Sequence, residues 1–150
     1  MKLAEALQAR SDLKKQLNQL EYRMSSNALV QEGEQPNEKP SELFKQYNDG
    51  LKQLEELIIR INLTNSRAKV DGVTLTELIA RRDTLKQKID AYRSVLSTAS
   101  SNTSRATRTE IKVLSTINVE SFQKDVDRMS KELRELDNKI QEANWKIELK

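Results

Sequence analysis

Apolar residues recur at alternating intervals of three and four in four separate stretches of this chain. The clearest runs Val119, Phe122, Val126, Met129, Leu133, Leu136, Ile140, Ala143 and Ile147. That spacing gathers its members on one face of a helix, as in a heptad seam. An earlier stretch repeats it as Leu3, Ala6, Arg10, Leu13, Leu17, Leu20 and Met24, and a second as Phe44, Tyr47, Leu51, Leu54, Ile58 and Ile61. A third reads Leu75, Leu78, Arg82, Leu85, Ile89, Tyr92, Leu96 and Ala99. The pattern predicts helices over about 2–27, 41–66, 75–99 and 119–148.

The intervening residues carry the stop and start signals. Gly33, Pro36 and Pro40 fall in the stretch LVQEGEQPNEKP, and a residue before proline disfavours the helical region, so the first helix ends ahead of it. Ser41 is placed to cap the second helix. Asp71-Gly72 is a turn dipeptide, and Thr74-Leu75-Thr76-Glu77 is a capping box that opens the third helix. Ser97–Thr109 is rich in Ser and Thr and has little to bury, which predicts a loop. Ile111, Val113, Ser115 and Ile117 alternate, which predicts an extended piece over about 110–117 with Leu29–Gln31 or Val70–Val73 as its strand partner. Asn118 is placed to cap the fourth helix.

Helices of roughly 25 to 30 residues span about 38 to 45 Å, and their similar lengths favour side-by-side packing. The pattern predicts an all-α single domain over 1–150. Its long antiparallel helices form either an up-down four-helix bundle or paired coiled-coil hairpins, with a short β element in the connections. The seams are narrow, and Leu43, Leu57, Leu63, Val95, Leu114, Trp145 and Leu149 fall off them and still need cover, which predicts a homo-oligomer. Arg10 and Arg82 each stand seven residues after the first stripe leucine. In an up-down bundle they share a layer, with Asp137 and Glu142 as partners in a polar layer or anion contact.

Composition narrows the chemistry. The chain is 36% hydrophobic and 33% charged, with 3 Gly and 2 Pro, which disfavours a turn-rich β fold. Cys and His are both absent. That removes thiol nucleophiles, Cys/His zinc sites and Ser-His-Asp triads, so no enzymatic activity and no cofactor are expected. The opening MKLAEALQAR lacks the apolar core of a signal peptide, and no run approaches a membrane span, which points to a soluble cytoplasmic protein.

Charge is unevenly placed. Residues 67–118 hold ten Lys and Arg against five Asp and Glu. Within them Arg81, Arg82, Lys86, Lys88, Arg105, Arg108 and Lys112 are candidates for phosphate contact, although no aromatic residues interleave them as in a nucleic-acid surface. Glu32 and Glu34 could hold a cation together with backbone carbonyls. No acidic residue lies on any stripe, so the inward carboxylates of a di-metal bundle are missing. Asn62-Leu63-Thr64 and Asn102-Thr103-Ser104 match the glycosylation acceptor pattern, which without a signal peptide is incidental.

Six segments carry a resemblance that runs along nearly the whole chain: MKLAEALQAR, NALVQEGE, RINLTN, VDGVTLTELIARR, EIKVLSTI and ELRELDNKIQEANW. Together they resemble the small bacterial proteins that bear the label septicolysin. The resemblance implies a helical, oligomeric cytoplasmic protein of unknown function and supplies no catalytic motif. The label implies a pore-forming, oxygen-labile cytolysin, whereas thiol-based oxygen lability needs a Cys. The residues themselves point to a non-enzymatic, self-associating structural or interaction module. Nucleic-acid or anion binding through residues 81–112 is one alternative, and the pore-forming cytolysin that the label implies is the other.

Overall fold

The computed structural model describes residues 1–101 and 111–150. Among these the chain is all-α apart from one two-stranded hairpin. The elements are α1 (Leu3–Ser26), α2 (Pro40–Arg67), β1 (Lys69–Val70), β2 (Val73–Thr74), α3 (Leu75–Ser100) and α4 (Val119–Lys146). The Ser/Thr-rich stretch after Ser101, with Arg105 and Arg108, lies outside the described residues through Glu110.

Local chemistry accounts for most of the boundaries. Thr74 Oγ1 accepts the Glu77 amide at 3.2 Å, while the Thr74 amide donates to the Glu77 carboxylate at 3.0 Å. The predicted capping box therefore starts α3. Asn118 Oδ1 accepts the Ser121 amide at 3.0 Å and caps α4. The second helix begins two residues earlier than a Ser41 cap predicts, with Lys39 in the capping position. Pro40 takes the first helical position, where its fixed φ suits the helix and its missing N–H needs no partner.

The β element is present in a connection, but not where the alternation of Ile111–Ile117 placed it. Residues 111–118 form no strand, and β1 pairs with β2 instead. Asp71 and Gly72 both adopt positive φ, at 50° and 80°, which matches the twist of a two-residue hairpin loop. A local pair closed by two residues loses little chain entropy, whereas 111–117 would have to recruit a distant edge.

The helices are distributed over two compact units: Met1–Lys69 with Ala143–Lys150, and Val70–Glu142. In the first unit α1 and α2 form an antiparallel pair. Leu3, Ala6 and Leu17 of α1 and Leu43 and Ile61 of α2 are buried. Gly50 faces α1 closely: a Cβ there would stand 2.9 Å from Leu17 Cδ2 and 3.9 Å from Leu13 Cδ1. The inward side of α2 holds buried Leu43 and Ile61 with half-buried Tyr47, Gly50, Leu54, Leu57 and Ile58 between them, so of the stripe from Phe44 only Phe44 itself and Leu51 lie outside it.

The far end of this pair is tied by its connection. Arg23 holds Glu38 through a two-pronged ion pair, and Asn27 donates to Arg23 O at 2.8 Å while its Oδ1 accepts the Glu38 amide at 3.0 Å. At the other end Lys2 and Glu148 form an antiparallel bridge, with Leu3 N–H on Ile147 O and Leu149 N–H on Met1 O, both at 2.9 Å. Thr64, 1% exposed, donates to Arg60 O at 2.8 Å and accepts the Lys150 amide at 3.1 Å.

In the second unit Ile89 and Leu96 of α3 pack with Val126 and Met129 of α4. Leu85, Tyr92, Phe122 and Leu133 flank them. Full burial of each such side chain contributes about 1.5 to 3 kcal/mol. The Tyr92 and Phe122 rings lie 5.3 Å apart in a tilted pair.

Candidate functional site

Two surfaces hold the residues that chemistry could use. The first is the charged rim of the second unit. Arg82, in the first half of α3, donates from Nε to Asp83 Oδ1 at 3.0 Å and places Nη1 3.5 Å from Asp137 Oδ1 on α4. Lys139, half a turn beyond Asp137, pairs with Asp71 of the hairpin loop. An open groove of roughly 470 Å³ beside them is lined by Leu78, Arg81, Leu85, Glu132, Glu135, Leu136 and Lys139. Its walls carry both signs of charge, so its field is weak.

Arg82 and Asp137 are thus brought together, and Glu142 lies further along the same helix in the same unit. Arg10 belongs to the first unit, where it is half-buried and makes no hydrogen bond or ion pair among the described residues. The basic residues of α3 do not gather on one face. Arg81 and Lys88, seven apart, share one line, and Arg82 and Lys86, four apart, share another. Lys88 Nζ sits 5.8 Å from the centre of the Tyr92 ring. Asp83 and Asp90 interrupt the row, and Lys112 is exposed beyond the undescribed stretch. Glu32 and Glu34 are exposed in the first connection, and no group of three acidic side chains among the described residues stands close enough to hold a metal ion.

The second surface is the outward side of α2. Phe44 is left 53% exposed and Leu51 40%, and further round the helix Ile59 and Leu63 are exposed too. The sequence carries a sign of this: Leu43, Leu57 and Leu63 fall off the Phe44 stripe, so α2 has more apolar residues than one seam covers. No helix among the described residues is long and apolar enough to cross a membrane.

Electrostatics single out two carboxylates, both in the first unit. The Arg23 guanidinium, by hydrogen bonding, holds Glu38 below the usual glutamate range, and Arg23 is raised in return. Glu148 is likewise lowered, first by Lys2 at 2.5 Å and then by the Met1 ammonium at 3.2 Å. These five groups tie chain segments to one another.

A family of unknown function, DUF6847, matches residues 10–149. The chain belongs to that family. It is also 35% identical to a protein from Corynebacterium diphtheriae whose crystal structure is described as that of a functionally unknown conserved protein. The two structures agree with a TM-score of 0.95, over 100% of this chain and 99% of that one. Among curated proteins no match to the chain is found. Membership of DUF6847 extends the fold to a relative but assigns no chemistry to Arg82, to the groove or to α2.

Proposed function

We propose that this member of DUF6847 is a non-enzymatic helical interaction module that works as a homo-oligomer. The observation that carries the reading is that α2 leaves four large apolar side chains, Phe44, Leu51, Ile59 and Leu63, all at least 40% exposed. Single exposed apolar residues need no explanation, but four large ones on one helix suit a contact surface. Covering each of them contributes up to about 1.5 to 3 kcal/mol, enough in sum to offset the entropy of association. The mixed charges of the groove in the second unit support an interaction role over anion binding. The absence of Cys suits a reducing, cytoplasmic setting.

Sedimentation equilibrium over a wide range of protein concentrations tests the reading. A mass that rises to a multiple of 17.3 kDa is the expected result. A mass that stays at that of one chain throughout overturns it.

A further inference from the structure

The chain contains two Asp-Gly dipeptides, Asp49-Gly50 and Asp71-Gly72, and the fold treats them differently. In such a pair the glycine nitrogen is well placed to attack the side-chain carboxyl carbon of the aspartate, because glycine sets no Cβ beside that nitrogen. Asp49-Gly50 lies in the middle of α2, where the Gly50 N–H belongs to the helix ladder and Gly50 faces Leu17 of α1. Its backbone cannot turn toward the aspartate side chain without opening the helix.

Asp71-Gly72 is the two-residue loop between β1 and β2. Both residues are exposed, a Cβ at Gly72 would meet nothing within 4 Å, and the Gly72 N–H makes no hydrogen bond among the described residues. Asp71 is also the one non-glycine residue with positive φ among those described, a conformation that an L side chain adopts at a cost. What restrains the side chain is Lys139 of α4, whose ammonium holds the Asp71 carboxylate.

We propose that Asp71-Gly72 is a site of spontaneous isoaspartate formation whose rate is set by the Lys139 ion pair. In the first step the Gly72 nitrogen bonds to the Asp71 carboxyl carbon. The nitrogen gives up its proton and the carboxyl its hydroxyl, which leave together as water from a five-membered succinimide. Water then adds back and opens the ring: cleavage at the side-chain carbonyl restores aspartate, and cleavage at the main-chain carbonyl leaves Gly72 linked through the side chain. Nothing is oxidised or reduced, and water is the only co-reactant. While Lys139 holds the carboxylate, the side chain is kept from swinging onto the Gly72 nitrogen. The product adds one carbon to the main chain of a loop whose two-residue length sets the pairing of β1 with β2, three residues ahead of the Thr74 cap. The reaction thus turns the entry to α3 from a closed hairpin into a longer turn. This site is independent of the self-association inferred above.

The full-length protein is held at neutral pH, warm but below its melting temperature, beside a sample in guanidinium chloride. Incubation continues until the unfolded sample shows isoaspartate at both dipeptides. Trypsin then releases Gln46–Lys52 and Val70–Arg81, and chromatography with electron-transfer fragmentation separates the two linkages, which have equal mass. In the folded protein Val70–Arg81 is expected to acquire the isoaspartyl form while Gln46–Lys52 does not. Lys139→Met, checked first for native helicity, is expected to accumulate it several-fold faster. If Asp71 reacts no faster than Asp49 in the folded chain, the hairpin does not select the site and the proposal is wrong. If Lys139→Met reacts at the unaltered rate, the ion pair does not set that rate and this part of the proposal falls. Comparison of the two dipeptides needs no variant, so it decides the site even where Lys139→Met fails to fold.

Discussion

Thr64 shows how much one residue can hold in a chain with narrow seams. Its hydroxyl donates within α2 and accepts from the Lys150 amide, while its methyl group lies in the interior. Thr64→Val keeps the shape and removes both hydrogen bonds, leaving the Lys150 amide without its acceptor. Urea denaturation should show a loss of about 1 to 2 kcal/mol. The two lowered carboxylates give a prediction with a definite sign. Glu38 and Glu148 titrate lower in the folded chain than in the unfolded one, so their ion pairs contribute fully at neutral pH and are lost as pH falls through the folded values. The melting temperature should fall between about pH 5 and pH 3, and the double variant Glu38→Gln with Glu148→Gln should lose less over that interval. An equal or steeper fall in the variant would contradict the assignment.

At the scale of elements, α2 is where the sequence misleads, and the reason is geometric. A three-four row begun at Leu43 and one begun at Phe44 share Tyr47, Leu54 and Ile61, so periodicity cannot choose between Leu43 and Phe44 or between Gly50 and Leu51. Gly50 chooses. It admits the Leu17 side chain of α1 to a distance that any Cβ would contest, and with it Leu43 and Ile61 are buried while Phe44 and Leu51 stay exposed. Gly50→Leu should therefore destabilise the chain by about 1 to 3 kcal/mol despite the better helix propensity of leucine. Equilibrium unfolding would check it, and a neutral or stabilising result would mean that α1 does not approach there. The other three stripes place their members in the interior or half-buried, because each of those helices has one dominant row. Thr74→Ala removes the cap that the sequence announces most clearly, and should lower stability by about 1 kcal/mol.

For the whole molecule, the two chain ends are structural. The bridge between Lys2 and Glu148, the Leu149 amide on Met1 and the buried Leu149 side chain join residues about as far apart in sequence as the chain allows. Removing Glu148–Lys150 should lower stability by about 3 kcal/mol, mostly from Leu149 burial, with the melting temperature as the readout. What the sequence by itself determined was local: four helices from their apolar period, the Thr74 capping box, the Asp71-Gly72 turn, and the absence of Cys and His chemistry. These follow from forces acting over a few residues. Only the tertiary structure decided which row of α2 is buried, which of the candidate charges meet, and that the hairpin strand lies at Lys69–Thr74. Each depends on which distant surface arrives first within contact range. A single sequence records the residues on both sides of such a contact without recording that they meet.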